Sequence, residues 1–210
     1  MEKHELVLFL NAAKNKGLYL DSIIFHMLAY SGMRIGELLA LKWKDINFQE
    51  STIYITKTLF NPKNSSKKFQ LLSPKTKGSI RKIKMDESTM NLLKRHKQEQ
   101  NKYKMLVRDQ YEDLDFVLSK RTGYPEVHQT VIVRMKRLLK LAGINRQLAP
   151  HSLRHTHTSL LIEAGVGLKE IQQRLGHTNI NTTMDIYAHL TADMEEKASH
   201  QFSELMKNLF

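Results

Sequence analysis

One block of β-branched residues interrupts a chain whose other apolar residues recur at helical spacing. Residues 52–58 alternate isoleucine with tyrosine and threonine, which is typical of a strand with one buried face. Residues 69–73 and 80–85 extend the block on either side of a Pro-Lys-Thr-Lys-Gly turn. Elsewhere, apolar residues fall at positions i, i+3, i+4 and i+7. The sequence therefore predicts a mainly α protein with a small three-stranded antiparallel sheet, an α+β fold.

The predicted helices have residues suited to start and stop them. Four glycines follow apolar stripes and suit the left-handed conformation that ends a helix; they are Gly32, Gly143, Gly165 and Gly176. Asp86 and Asn181 precede two other stripes and are suited to cap their N-termini. Apolar residues from Met194 to Leu209 repeat at helical spacing, so an amphipathic helical tail is expected there.

The chain is strongly basic. Its 33 lysines and arginines outnumber 21 acidic residues, which gives a formal net charge of +12. Such an excess attracts polyanions by releasing counterions, so nucleic acid is the first expected partner and an anionic membrane surface the second. Many basic proteins merely carry solvated lysines, and no helix here combines a broad apolar face with a basic one, so no membrane partner is expected. The absence of cysteine excludes disulfides and thiolate metal sites and fits a reducing cytoplasm.

The first cluster of chemically interesting residues is Ser31-Gly-Met-Arg34-Ile-Gly-Glu37. Arg34 follows a glycine break, and Glu37 lies about one helical turn later. Glu37 could aim a buried guanidinium, or the two residues could form a surface ion pair, which contributes little to stability. Taken alone, the cluster favours the surface pair.

The second cluster lies around Pro150, at the predicted start of a helix. His151 and Arg154 are three residues apart and project to neighbouring positions, close to free backbone N–H groups that favour an anion. His155 and His157 could join His151 as zinc ligands, but they lie on different helical faces and no carboxylate is near. The pattern favours an anion site, with His157 packed in the core.

The third cluster runs from Gly176 to Tyr187. Gly176 is suited to end a helix and to leave His177 on a loop. Tyr187 falls on the next predicted helix, where a tyrosine is ordinarily a core residue with its hydroxyl bonded to a neighbour. Nothing local marks Tyr187 as a nucleophile.

The order of these motifs resembles the tyrosine recombinase (phage integrase) family. The first two motifs are Gly-Met-Arg-Ile-Gly-Glu-Leu around Arg34 and a lysine in a β turn. The third is His-Ser-Leu-Arg-His-Thr, which begins at His151. The last two are Leu-Gly-His, which ends at His177, and a tyrosine ten residues later. Details such as Thr-Met-Asp-Ile-Tyr are most similar to integrases of prophages and conjugative transposons. The resemblance implies a single catalytic domain over 1–210, a C-terminal tail over 191–210, and N-terminal DNA-binding domains that are absent from this chain.

By motif, the resemblance implies specific roles. Arg34 and Arg154 would clamp the scissile phosphate of DNA. His151 would assist proton transfer, and His177 would donate a hydrogen bond to a phosphate oxygen. Tyr187 would be the nucleophile. No cofactor and no metal ion are expected, because fixed guanidinium groups can stabilise the charge that develops on the phosphate.

The supporting residues follow from the same resemblance. Glu37 corresponds to the carboxylate that orients Arg34. The general-acid lysine is either Lys75 or Lys77, and Lys75 is favoured because a lysine followed by threonine is the commoner match. The chain has Lys84 where the family usually has a proline, a departure that touches no catalytic role.

The implied activity is site-specific recombination of double-stranded DNA, integrating or excising a mobile element through a 3′-phosphotyrosyl intermediate. The implied assembly is a homo-tetramer on paired DNA sites, in the bacterial cytoplasm at the nucleoid. One predicted helix also carries a basic face that either contacts DNA phosphates or is merely solvated; it consists of Arg134, Lys136, Arg137 and Lys140. The alternatives are a type IB topoisomerase and a non-catalytic DNA-binding regulator.

Overall fold

The computed structural model describes residues 1–74, 77–176, 184, 202–203 and 206–207. The α-helices within this part are α1 Lys3–Lys16, α2 Asp21–Ser31, α3 Ile35–Leu39, α4 Glu87–Val107, α5 His128–Leu141, α6 Pro150–Glu163 and α7 Leu168–Leu175. The strands are β1 Ile46–Asn47, β2 Thr52–Ile55, β3 Thr58–Phe60, β4 Gln70–Leu72 and β5 Arg81–Lys84. Short 3-10 helices cover Trp43–Asp45, Pro62–Asn64, Lys77–Ser79 and Arg108–Gln110. The prediction of a mainly helical fold with a small antiparallel sheet is confirmed.

The three-stranded sheet contains different strands from those predicted. Its order is β1-β2-β5, with both pairings antiparallel, whereas β3 and β4 form a separate two-stranded hairpin. The single strand predicted over 52–58 breaks at Thr56 and Lys57, where Lys57 Nζ forms an ion pair with Asp45 Oδ2 at 2.5 Å. The first strand, β1, has only two residues, which is too short for alternation to show in a sequence.

Apolar stripes of the helices meet in one core. Phe9 of α1 packs edge-to-face on Phe25 of α2, with ring centroids 5.1 Å apart, and both are fully buried. Val131 and Met135 bury the predicted stripe of α5 against the same cluster. A smaller cluster joins the end of α6 to α7 through Ile162, Ile171 and Leu175. The second cluster packs α7 against the end of α6, the helix that carries His151 and Arg154.

The helix boundaries follow the predicted caps. Gly32, at the end of α2, has φ 65°, and its N–H donates to the Leu28 carbonyl. The other predicted glycine caps also have positive φ; they are Gly143, Gly165 and Gly176. Asp86 caps α4 by accepting a hydrogen bond from the Thr89 N–H at 2.9 Å, as predicted. The cap at Asn181 and the tail 191–210 fall outside the described residues, apart from isolated helical positions in the tail. Within the described part, every helix is too short or too polar to cross a bilayer.

Candidate active site

Arg34 stands at the turn between α2 and α3. Gly32 lets the chain reverse, and Arg34 takes the N-cap position of α3. The Arg34 backbone N–H donates to Glu37 Oε2 at 2.9 Å, and Nη1 donates to Oε1 at 3.0 Å. The Arg34 side chain remains 42% exposed, whereas that of Glu37 is 5% exposed. The pair is therefore not a surface ion pair: a buried carboxylate holds a guanidinium whose outer side faces solvent.

A second arginine, Arg81 at the start of β5, binds the same carboxylate. Its Nη1 donates to Glu37 Oε1 at 3.1 Å and its Nη2 donates to Oε2 at 2.9 Å, in a bidentate pair. Burial raises the pKa of Glu37, but the hydrogen bonds and charge of Arg81, followed by those of Arg34, outweigh it and hold the pKa below its usual value. Glu37 is thus ionised and shared between two guanidinium groups.

Arg154 lies on the inner face of α6 and is 2% exposed. Its Nη1 donates to the Gly32 carbonyl at 2.6 Å, and its Nη2 donates to the Leu175 carbonyl at 2.8 Å. Burial, and next the charge of Arg34, lower the pKa of Arg154 to about 9, which leaves the guanidinium charged at neutral pH. Arg154 therefore joins the turn before Arg34 to the end of α7 and keeps further N–H donors beyond these two bonds.

His151 occupies the first turn of α6 and is exposed. Its ring meets that of His155 edge-on, with centroids 4.7 Å apart. Partial burial, followed by the positive charges of His155, Arg154 and Arg34, lowers the pKa of His151. A neutral imidazole beside two guanidinium groups can accept a proton at physiological pH. The positive charges of Arg154 and Arg34 therefore act on the imidazole of His151.

The prediction that His157 is a packed core histidine is confirmed. It is 8% exposed; Nδ1 donates to the Ala29 carbonyl at 2.8 Å, and Nε2 accepts from Arg174 Nε at 3.1 Å. Burial, and then the charge of Arg174, lower the pKa of His157 to about 4. Both ring nitrogens are engaged, so the alternative zinc interpretation loses one of its ligands. In the described part of the chain, no group of three or more histidine, aspartate or glutamate residues is arranged to hold a metal ion.

Several predicted site residues lie outside the described residues: Lys75, His177 and Tyr187. Of Lys77, only its place at the start of the 3-10 helix Lys77–Ser79 is described. Their roles stay predictions. Helix α7 ends at Leu175, and Gly176 is its C-cap; His177 is the next residue in the sequence.

The basic face predicted on α5 is not uniform. Arg134 is 20% exposed in its side chain and pairs with the fully buried Asp21 at 3.1 Å and with Glu126 at 3.6 Å. Arg137 Nη1 lies 3.9 Å from the same Asp21 carboxylate. These two arginines therefore neutralise buried carboxylates, and the remaining members, Lys136 and Lys140, are exposed. Contact of this face with DNA stays a prediction.

Sequence reasoning missed Arg81 and Arg174. Arg174 donates to the carbonyls of Lys84 and Tyr30 as well as to His157, and so ties α7 to β5, α2 and α6. A signal existed for Arg81, because it alternates in phase with the buried Ile83 of β5, so its side chain had to enter the core. A buried guanidinium needs acceptors for its N–H groups, and Glu37 supplies two of them to Arg81.

Known proteins resemble this chain over most of its length. The model of the phage integrase family matches residues 1–194. The integrase of Staphylococcus phage L54a is 35% identical over 85% of this chain and 50% of its own length. The transposase of transposon Tn916 from Enterococcus faecalis is 30% identical over 91% of this chain and 47% of its own length. The chain thus spans about half the length of these relatives.

Solved structures show the same fold. The integrase of transposon Tn1549, in complex with transposon right-end DNA, superposes with a TM-score of 0.77 at 25% identity, covering 97% of this chain and 65% of that one. The XerA recombinase gives 0.72 at 28% identity, covering 95% and 64%. Since the family match spans almost the whole chain and the fold agrees, the chain belongs to the phage integrase family of tyrosine recombinases.

Proposed function

We propose that the chain is the catalytic domain of a site-specific recombinase that breaks and rejoins double-stranded DNA to move a mobile element. The observation that carries the proposal is that Arg34 and Arg81 share the buried Glu37, while Arg154 binds the carbonyl of Gly32, two residues before Arg34. Three guanidinium groups against one carboxylate leave a net charge of about two positive units, held in place by hydrogen bonds. A fixed positive cluster of this kind suits a phosphodiester, which gains negative charge at phosphorus when it is attacked.

The two clamping arginines have different surroundings and complementary roles. Arg34 presents a half-exposed guanidinium steered by Glu37. Arg154 is buried and held by two main-chain carbonyls, which orient it without neutralising its charge. Donors fixed before the substrate arrives need no reorganisation during the reaction, and each well-aimed one contributes roughly 3 to 4 kcal/mol to transition-state stabilisation.

The reaction requires two proton transfers. The Tyr187 hydroxyl, with an ordinary pKa of about 10, loses its proton to the neutral His151 as its oxygen forms a bond to phosphorus. The bond from phosphorus to the 5′ oxygen breaks, and Lys75, or Lys77, protonates that oxygen. The product is a 3′-phosphotyrosyl link, which a 5′ hydroxyl from another strand attacks to rejoin the DNA. His177 donates a hydrogen bond to a non-bridging oxygen throughout.

The proposed partners follow from the family. Relatives are named integrases and transposases, and the Tn1549 integrase has been solved on DNA. We infer double-stranded DNA as the substrate and four protomers on paired sites as the active assembly, working at the bacterial nucleoid. Exposed Lys136 and Lys140 of α5 would add contacts to backbone phosphates.

Covalent capture tests the proposal. The chain is mixed with a pool of nicked duplexes of random sequence. Cleavage of such a duplex releases a short fragment of the cleaved strand. Once the fragment has diffused away, the strand cannot be rejoined, and the enzyme stays covalently bound to the DNA. The wild-type chain is expected to form an adduct that survives SDS, and peptide mass spectrometry should find the nucleotide on Tyr187. The Tyr187→Phe variant should bind the pool but form no adduct. An adduct formed equally by that variant would overturn the assignment.

A type IB topoisomerase would give the same adduct. Sequencing the trapped DNA supplies a preferred site, which is then placed once or twice on a supercoiled plasmid. A recombinase is expected to join two sites and to leave a one-site plasmid largely supercoiled. Rapid relaxation without recombination would favour the topoisomerase, and a wild-type chain that binds DNA without ever forming an adduct would favour a non-catalytic regulator.

A further inference from the structure

We propose that Arg81 is a positioning residue that sets three parts of the active site at once: the carboxylate that holds Arg34, the turn that carries the candidate lysines, and the backbone directly before His177. The inference rests on the proposed function, because it concerns the geometry of that reaction. Arg81 itself is 7% exposed and is not placed to touch a bound phosphate.

The first contact is the bidentate pair with Glu37. Both carboxylate oxygens accept from Arg81, at 3.1 and 2.9 Å, and the same oxygens accept from Arg34 Nη1 and from the Arg34 N–H. Because the pair with Arg81 is buried and bidentate, it fixes the orientation of the carboxylate. That orientation decides where the half-exposed Arg34 guanidinium points.

The second contact is with the turn between β4 and β5. Arg81 Nη1 donates to the Ser79 carbonyl at 3.1 Å, at the last residue of the 3-10 helix Lys77–Ser79. Lys77 begins that helix, and Lys75 lies two residues before it in the sequence. A strand residue that bonds back to its own preceding turn anchors the C-terminal end of the segment on which the general acid is expected.

The third contact is with the end of α7. Arg81 Nε donates to the Arg174 carbonyl at 2.7 Å, beside the Leu175 carbonyl that Arg154 binds. Gly176 lies directly over the Arg81 side chain: a Cβ added at Gly176 would come within 3.0 Å of Arg81 Cδ and 3.1 Å of Nη1. His177 is the next residue in the sequence, so Arg81 supports the backbone that directly precedes it.

These contacts engage all three nitrogens of the guanidinium group. Arg81 binds a carboxylate through two nitrogens and carbonyls through Nε and Nη1, which a lysine cannot reproduce because its ammonium is a single point charge. A change at Arg81 therefore alters the placement of Arg34, the lysine turn and the approach to His177 together. A substitution at Arg81 is therefore expected to lower the rate of DNA cleavage and to leave the affinity for DNA unchanged.

The test uses single-turnover adduct formation on the site recovered by covalent capture, with protein in excess. Arg81→Gln is expected to slow cleavage by about 10²-fold or more at saturating protein, the cost of a misplaced catalytic group, while the dissociation constant for the site stays that of the wild type. Arg81→Lys keeps the charge and should regain thermal stability, yet it should stay at least about tenfold slow. Val131→Ala, a core change in α5, is the control that lowers stability without slowing cleavage.

A double-mutant cycle with Arg34→Lys separates positioning from a merely structural role. Because one of the three contacts of Arg81 acts through Arg34, the combined rate loss is expected to be smaller than the product of the two single losses, whereas wholly independent losses multiply. Multiplying losses, a full rate in Arg81→Gln, or a rate loss no larger than that of an equally destabilised Val131→Ala would each overturn the inference.

A third variant covers the case in which Arg81→Gln fails to fold. The double variant Glu37→Gln, Arg81→Gln removes both charges of the buried Glu37–Arg81 pair. Neither residue is then left as a buried charge without its partner. This double variant is expected to fold and to cleave slowly; wild-type cleavage by it contradicts the inference. A wild-type chain that forms no adduct contradicts the proposed function instead, and the inference falls with it.

Discussion

Acid should destabilise the protein through His157, because the pKa of this histidine is lowered in the folded state. The pKa of this buried histidine is lowered from 6.5 to about 4 by burial and by Arg174, so the folded state resists the proton that the unfolded chain binds. For a lowered histidine pKa, stability is complete above the unfolded value and is lost as pH falls below it. Linkage then gives a loss of about 2 kcal/mol between pH 7 and pH 5 from this one group.

The variant His157→Gln isolates that contribution. Glutamine can still donate to the Ala29 carbonyl and accept from Arg174 Nε, but it does not titrate. The free energy of unfolding, measured by urea titration at pH 7 and at pH 5, should fall by about 2 kcal/mol more in the wild type than in the variant. The exposed His4→Gln is the control and should follow the wild-type curve. Parallel curves for wild type and His157→Gln would refute the reasoning.

Three further outcomes are expected. Gly32→Ala should lower the free energy of unfolding by more than about 1 kcal/mol, since its φ is 65° and its Cβ would lie 2.6 Å from His157 Cδ2; thermal unfolding checks this, and an unchanged midpoint contradicts it. Arg154→Lys should slow adduct formation by about 10²- to 10³-fold with DNA binding retained in a gel-shift assay, whereas equal losses in both would point to a general defect. Asp86→Ala should cost about 1 kcal/mol, because the Thr89 N–H loses its cap, and cleavage per folded molecule should stay unchanged.

Local patterns predicted most of the helices. The stripe of α1 and the glycine at the end of α2 are read from residues within one helix, where spacing and cap are set by the backbone itself. His151 and Arg154 were likewise found from their spacing at a helix start. The motif order then supplied the roles that no single cluster supports.

Long-range partners could not be predicted. The cluster around Arg34 alone favoured a surface ion pair, because nothing within residues 31–37 shows that β5 will bring a second arginine to Glu37. Arg134 was assigned to a basic outer face, yet its partner Asp21 lies 113 residues away in the sequence. The partners of the strands could not be predicted for the same reason: strand alternation predicts which face is buried but not which strand is the neighbour. Asp21 and Glu37 need arginine partners because their carboxylates are buried. Burial depends on the assembled fold, so a local sequence pattern does not show it.

The most direct test of the site is a crystal structure of the Tyr187→Phe variant on an uncleaved duplex carrying the captured site. The quantity to measure is the distance from the guanidinium nitrogens of Arg34 and Arg154 to the non-bridging oxygens of the phosphate nearest Phe at that position. Both distances are expected to be about 3 Å, with His151 beside the same phosphate. A duplex bound elsewhere, with Arg34 and Arg154 each far from any one phosphate, would contradict the account.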